Sequence, residues 1–289
     1  MTARIGFIGL GIMGAPMAGH LRAAGHPLAV ANRSRGPRVA ALLAAGATWA
    51  DSPAAVAAAS DIVITILGFP RDVEEVWLGP QGLVAQARPG SLLIDMTTSA
   101  PSLARRLSEA ASARGVLALD APVSGGEAGA RNAALSIMAG GTGDAFAAAL
   151  PVLQRLGKTI RHLGGPGAGQ HAKMANQIII ASTLMGVAEG LSYARAAGLQ
   201  GEAVLDALGP GAAGSFQLNM LGPKMLAGDF APGFMLQHFL KDLGIAVAEA
   251  EALGLALPGL AQARRLCETA ASLRGADAGT QAIITALEG

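Results

Sequence analysis

The stretch "RIGFIGLGIMGAPMAGHL" places Gly9, Gly11 and Gly14 in G-x-G-x-x-G spacing, between a short apolar run and the start of a helical pattern. Each glycine answers a different steric demand. Gly9 permits a tight turn out of a strand, Gly11 lets a ligand approach bare backbone, and Gly14 lets helix and strand pack closely. Exposed N–H groups and the dipole at the helix start favour an anion such as a pyrophosphate. In a chain with 40 glycines the spacing alone says little. Its setting says more, because a second apolar run, "PLAVAN", ends about 20 residues later. Strand, turn, helix and strand together predict a dinucleotide-binding unit, with Gly9, Leu10, Gly11, Ile12, Met13 and Gly14 against the pyrophosphate.

Where the second strand ends, "ANRSRGPR" supplies Asn32, Arg33, Ser34, Arg35 and Arg38. NAD-binding units usually carry an acid there for the ribose hydroxyls. This segment has no carboxylate to repel a 2′-phosphate, and its guanidiniums and hydroxyl can bind one. Charge-assisted hydrogen bonds of that kind contribute roughly 1.5–3 kcal/mol each. The expectation is NADP (NADPH) in preference to NAD, with NAD held at lower affinity and Asn32, Arg33 and Ser34 near the discriminating phosphate.

"DIVITIL", "SLLIDM" and "GVLALDAPV" continue the series of buried strands. Helical stretches beginning near Met13, Pro37, Pro53, Asp72 and Pro101 separate them. Such alternation implies a parallel sheet covered on both faces. "AALSIMAGG" and "KTIRHLG" read as two further strands around a helix over 144–156. After Gly164 the strand runs cease, and glycine and proline separate helices expected at 168–197, 201–208, 215–227, 236–254 and 258–273. The predicted fold class is therefore α/β, a dinucleotide-binding domain over 1–164 followed by a smaller all-helical domain over 165–289.

Composition excludes several functions. With 52% hydrophobic and 14% charged residues the chain can bury a large core, and a net charge of +1 gives no general attraction to nucleic acid or anionic membrane. Five scattered histidines and the lone Cys267 offer no metal cluster and no internal disulfide, which suits a reducing cytoplasm. The first residues resemble a signal peptide, but the glycine spacing explains them better. A membrane-spanning helix wants roughly 20 mostly apolar residues. The apolar stretch after Lys173 is interrupted by Asn176, Gln177, Ser182, Thr183 and Glu189, so a buried helix is expected.

An enzyme that moves hydride at a carbonyl also needs a proton carrier. The Tyr-x-x-x-Lys solution is absent, since Tyr193 is followed at the fourth position by Ala197. A serine-nucleophile elbow is excluded because Pro122 stands where G-x-S-x-G needs glycine. What remains is "DAPVSGGEAGA", where Ser124, Gly125 and Gly126 offer donors for a carboxylate. Lys173 and Asn176 stand one helical turn apart, and "FLKDLGIAVAEA" places Lys241 and Asp242 on a later helix.

Taken with "GFIGLGIMGAPMAGHL", "DMTTSAP", "DAPVSGGEAGA", "GAGQHAKMANQ" and "KDLGIA" in that order, the sequence resembles the β-hydroxyacid dehydrogenase family. That family includes 3-hydroxyisobutyrate dehydrogenase and tartronate semialdehyde reductase, and the resemblance covers essentially the whole chain. It implies a Rossmann-like domain, an all-helical domain and a cleft between them. Lys173 matches the catalytic lysine, Asn176 a substrate-holding residue, and Ser124, Gly125 and Gly126 the turn that binds the substrate carboxylate. Thr98 and Lys241 match the nicotinamide side of the cofactor site, and Leu67 the adenosine–pyrophosphate path. A free lysine has a pKa near ~10.4, so burial or a second cation, for which Lys241 is the candidate, is expected to bring Lys173 toward working pH. The resemblance implies a small aldehyde or hydroxy acid as substrate, tartronate semialdehyde first among several, and the apolar helical second domain suggests self-association as a homodimer or homotetramer. Two alternatives are kept: 3-hydroxyisobutyrate, glyoxylate or succinic semialdehyde as substrate, and a non-catalytic NADP-binding sensor or scaffold.

Overall fold

The computed structural model describes residues 2–288. They form two compact units, one ending at Lys173 and one beginning at Met174. This division falls later than the sequence boundary after Gly164, because the start of the long helix is bonded to the sheet. The Asp120 carboxylate accepts from the Gly167 and Gln170 amides at 2.8 and 2.9 Å.

The first unit begins with β1 (Ile5–Ile8), α1 (Gly14–Ala23), β2 (Leu28–Ala31), α2 (Pro37–Ala44), β3 (Thr48–Trp49) and α3 (Pro53–Ala59). It continues through β4 (Ile62–Thr65), α4 (Pro70–Leu78), α5 (Leu83–Gln86), β5 (Leu92–Asp95), α6 (Pro101–Ser112) and β6 (Leu117–Asp120). Then follow β7 (Val123–Ser124), α7 (Gly126–Arg131), β8 (Leu135–Gly141), α8 (Gly143–Leu153) and β9 (Gly157–His162). Proline opens α2, α3, α4 and α6, where its missing N–H has no partner to lose and its fixed φ suits the first turn. The two-residue edge strand β3 and the short helices α5 and α7 lie outside the sequence expectation, each being too short for a period to show.

The sheet runs β3-β2-β1-β4-β5-β6, all parallel. Residues alternate between its faces: Phe7, Ile64, Ile94 and Leu119 enter one core, and Ile8, Val63, Leu93 and Ala118 the other. Burying such side chains contributes roughly 1.5–3 kcal/mol each, which is why near-continuous apolar runs form central strands. The expectation of a wholly parallel sheet fails beyond β6. β8 pairs antiparallel with both β6 and β7, and β9 joins β8 in parallel. Pro122 has no N–H to continue the ladder, so "GVLALDAPV" splits into β6 and β7 instead of forming one strand. Gly125 and Gly126, at φ +128° and +59°, then turn the chain back, in a conformation that strains residues with a Cβ.

In the second unit the helix α9 (Ala168–Ala196), which starts in the first, contributes Met174, Ala181, Leu184, Ala188 and Leu191 to a core. α10 (Gly201–Leu208), α11 (Gly222–Ala227), α12 (Leu236–Ala252) and α13 (Pro258–Arg274) follow. Leu236, Phe239 and Leu243 of α12 and Leu260, Ala263 and Cys267 of α13 complete that core. α9 has the length and apolarity of a membrane span, and here one face of it, Met174, Ala181, Leu184, Ala188 and Leu191, is used in that core. The single helix expected over 215–227 is instead a π-helical turn, Gln217–Leu221, running into α11. Pro223 cannot donate to a carbonyl four residues back, and the ladder widens just before it. A 3₁₀ helix, Thr280–Leu287, lies beyond the expected elements.

Candidate active site

The sheet order reverses direction between β1 and β4, and ligands of open α/β sheets bind at the carboxyl ends of strands where that happens. The glycine turn sits there. Gly9 has φ +98°, and a Cβ on it would strike the Ile66 carbonyl; a Cβ on Gly14 would strike the Gly9 carbonyl. Around Gly11 a Cβ would meet nothing within 4 Å. So two glycines close the turn and the middle one leaves room for a ligand. Leu10 is buried, and Ile12 and Met13 are half-buried at the entrance of α1.

Asn32 stands at the end of β2, but its side chain is engaged in shaping the turn. Oδ1 accepts from the Leu10 amide at 2.9 Å and Nδ2 donates to the Ser34 carbonyl at 3.0 Å. Arg33 and Ser34 are exposed beside it. The expectation of a carboxylate-free phosphate site is corrected by Asp72, whose Oδ1 lies 3.5 Å from Arg33. Asp72 belongs to the first turn of α4, where its Oδ2 accepts from the Phe69 amide, and only the fold brings it to the end of β2. Arg35 is held elsewhere, 3.2 Å from Asp51 and stacked over Trp49.

Leu67 and Thr98, after β4 and β5, line the same edge of the sheet, both half-buried. Their backbones are tied together by Thr97, whose hydroxyl oxygen accepts from the Leu67 amide at 2.8 Å. Two carboxylates outside the expected site end the next strands, Asp95 on β5 and Asp120 on β6, opposite each other in register. Burial pushes the Asp95 carboxyl up to about 6, against hydrogen bonds from Thr97 and Thr65 that favour the charged form. Burial also raises Asp120, opposed by the backbone amides of Gly167 and Gln170. Asp120 thus serves as the acceptor for the otherwise unpaired amides at the start of α9. An Asp just after a buried strand run, in both "DMTTSAP" and "DAPVSGG", was the available signal.

Lys173 lies on that helix, 7% exposed, and Nζ donates to the Val123 carbonyl at 2.8 Å. Val123 and Ser124 form β7, and Gly125 and Gly126 follow, both exposed, where the chain turns into α7. Lysine and turn, 50 residues apart in sequence, are therefore neighbours in space. Asn176 and Lys241 fall in the second unit and are joined there by a polar chain. Asn176 donates to Gln177 at 2.7 Å, Gln177 donates to Asp242 at 2.7 Å, and Asp242 pairs with Lys241 at 2.8 Å. Among the described residues no group of His, Cys, Asp and Glu is arranged to hold a metal ion.

A glycine turn at the switch point of a parallel sheet, followed by an all-helical unit, marks the chain as a dinucleotide-binding protein of the Rossmann-like class. Comparison with known proteins narrows that class. Residues 4–164 match the family model for the NAD binding domain of 6-phosphogluconate dehydrogenase, and residues 167–287 match the NAD-binding model of NADP-dependent 3-hydroxyisobutyrate dehydrogenase. The chain is 47% identical to the probable 3-hydroxyisobutyrate dehydrogenase-like 1, mitochondrial, of Arabidopsis thaliana, over 99% of its own length and 86% of that protein's. It is 40% identical to the 2-hydroxy-3-oxopropionate reductase of Escherichia coli K12, over 99% and 97% of the two chains. A solved structure of the 3-hydroxyisobutyrate dehydrogenase of Mycobacterium tuberculosis with L-serine matches at a TM-score of 0.90 and 32% identity, covering 100% of both chains. The protein belongs to the β-hydroxyacid dehydrogenase family and is an oxidoreductase acting on CH–OH groups.

Proposed function

We propose that the protein is an NADP-dependent reductase that interconverts a small aldehyde acid and its hydroxy acid, with 2-hydroxy-3-oxopropionate (tartronate semialdehyde) as its preferred substrate. The observation that carries this reading is the buried Lys173 ammonium bonded to the Val123 carbonyl, beside Ser124, Gly125 and Gly126. A proton carrier and a set of carboxylate donors thereby stand together. The open space at Gly11 fits a dinucleotide pyrophosphate against Leu10, Gly11, Ile12 and Met13, with Leu67 and Thr98 toward the rest of the cofactor and Arg33 and Ser34 toward a 2′-phosphate. When bound, the nicotinamide supplies hydride in reduction and accepts it in oxidation.

The remaining chemistry belongs to the chain. Ser124 and the backbone N–H groups of Gly125 and Gly126 hold the substrate carboxylate. In reduction the Lys173 ammonium gives a proton to the carbonyl oxygen as charge develops on it; in oxidation the neutral amine removes the hydroxyl proton. The resemblance to a 2-hydroxy-3-oxopropionate reductase over nearly its full length supports the substrate, and the L-serine of the solved relative is itself a β-hydroxy acid.

Four acids tested with NADPH and NADH would decide the reading: tartronate semialdehyde, methylmalonate semialdehyde, glyoxylate and succinic semialdehyde. The highest kcat/KM is expected for the first, and NADPH is expected to exceed NADH about ten- to a hundredfold, as one charge-assisted hydrogen bond implies. A tenfold preference for NADH would refute the cofactor assignment, and NADPH binding with no turnover of any of the four would favour a sensor. Lys173→Ala is expected to lower kcat by about 10²–10⁴-fold with cofactor binding retained.

A further inference from the structure

Gln170, in the first turn of α9, is fully buried, and both ends of its carboxamide are used. Oε1 accepts from the Ser99 amide at 2.9 Å, and Nε2 donates to the Thr97 carbonyl at 2.7 Å. These two backbone groups flank Thr98. In extended chain the C=O before a residue and the N–H after it point to the same side, so the Gln170 amide takes the pair of bonds that a neighbouring strand would take. Thr97 extends the connection by accepting from the Leu67 amide, and the Gln170 backbone itself donates to Asp120 at 2.9 Å. The loops after β4 and β5 and the end of β6 are thus joined to one helical turn. Lys173 follows three residues on, about 4.5 Å along the helix axis.

The choice of side chain is specific. A buried pair consisting of one free N–H and one free C=O requires a neutral group with one acceptor and one donor in a plane, which a carboxamide provides. Leucine at this position would leave both the Ser99 amide and the Thr97 carbonyl buried without a partner. Asparagine would fall one methylene short.

We propose that Gln170 is a positioning residue that locks Thr98 to the helix of Lys173. It sets the nicotinamide-side wall of the cofactor site at a fixed distance from the proton-transferring amine. The inference rests on the roles given above to Thr98 and Lys173.

The test compares full-length wild type with Gln170→Leu and Gln170→Glu. Hydrogen exchange followed at residues 97–99 and 167–173 reads the lock itself, without turnover. NADPH titration, kcat and KM with tartronate semialdehyde, and the isotope effect with 4-deuterated NADPH read its consequence. Gln170→Leu is expected to speed exchange at both segments together and to lower kcat by about 10²-fold, the scale of an ångström-sized misplacement. NADPH binding is expected to persist, and the isotope effect on kcat to rise as hydride movement becomes limiting. Gln170→Glu keeps the acceptor for Ser99 and, once protonated, regains a donor for Thr97. Its kcat relative to wild type is therefore expected to recover as pH falls, while the Gln170→Leu ratio stays flat. The inference is overturned if Gln170→Leu loses thermal stability but retains wild-type kcat and isotope effect, if exchange rises at one segment alone, or if Gln170→Glu follows Gln170→Leu at every pH. A fully active Lys173→Ala would instead break the underlying reading, and the exchange measurement would still report on the lock.

Discussion

Asp95 and Asp120 show what a single carboxyl group does at the end of a buried strand. Asp95 is 3% exposed and its pKa is raised to about 6. The folded chain therefore binds a proton at Asp95 more readily than the unfolded chain. Between about pH 4 and that value the native state carries the extra proton, and this contribution to stability falls as pH rises. Above it the ionised group remains a constant penalty, at most about 3 kcal/mol at 1.36 kcal/mol per unit. Asp95→Asn, which matches the protonated shape and can still accept from Thr65 and Thr97, is expected to gain stability over wild type as pH goes from 4 to 7. Urea titrations across that range would show it, and an equal difference at both ends would count against it. Lys173 was legible in sequence because its neighbours in "GAGQHAKMANQ" form a recognisable pattern. Gln170, Asp120 and Asp72 were not, because each takes its meaning from a partner tens of residues away. Those partners are Ser99 and Thr97, 71 and 73 residues away, for Gln170, Gly167 at 47 for Asp120, and Arg33 beyond the end of β2 for Asp72.

The start of α9 is the element on which the candidate site depends. Gly169 approaches so closely that a Cβ would collide with the Met138 carbonyl and lie 2.7 Å from the Asp120 carbonyl. Gly186, later in the same helix, is exposed and has nothing within 4 Å of a Cβ. Gly169→Ala is therefore expected to destabilise by about 1–3 kcal/mol through overpacking and to lower kcat with it. Gly186→Ala is expected to leave stability unchanged or raise it by up to about 1 kcal/mol through helix propensity. Thermal melts of the two variants would separate them, and equal behaviour would show that the helix start is not tightly seated. Periodicity located this helix and α10 well, since both are long or cleanly bounded. It could not foresee that Pro122 would split a strand or that Pro223 would follow a π turn. Those outcomes depend on which backbone partner each missing N–H would have met.

At the scale of the whole molecule, the second unit carries large apolar side chains at its surface. Ile179 is 66% exposed, Tyr193 75%, Phe216 65% and Leu253 63%. Leaving such area in water is unfavourable at roughly 25 cal/mol per Å², and it supports self-association through this unit. Light scattering is expected to give two or four times the 28.8 kDa of one chain. A mass of one chain at micromolar concentration would refute it.

The alternation of strand and helix, the glycine turn, the helical second half and the lysine were all written in local pattern, because burial imposes a period of two or 3.6 on the residues that face a core. The antiparallel β8, the Asp72 beside Arg33, the buried carboxylates and the amide clamp of Gln170 were decided by the fold. Hydrogen bonds and ion pairs form between groups that are close in space, and only the closed chain brings those partners within 3.5 Å.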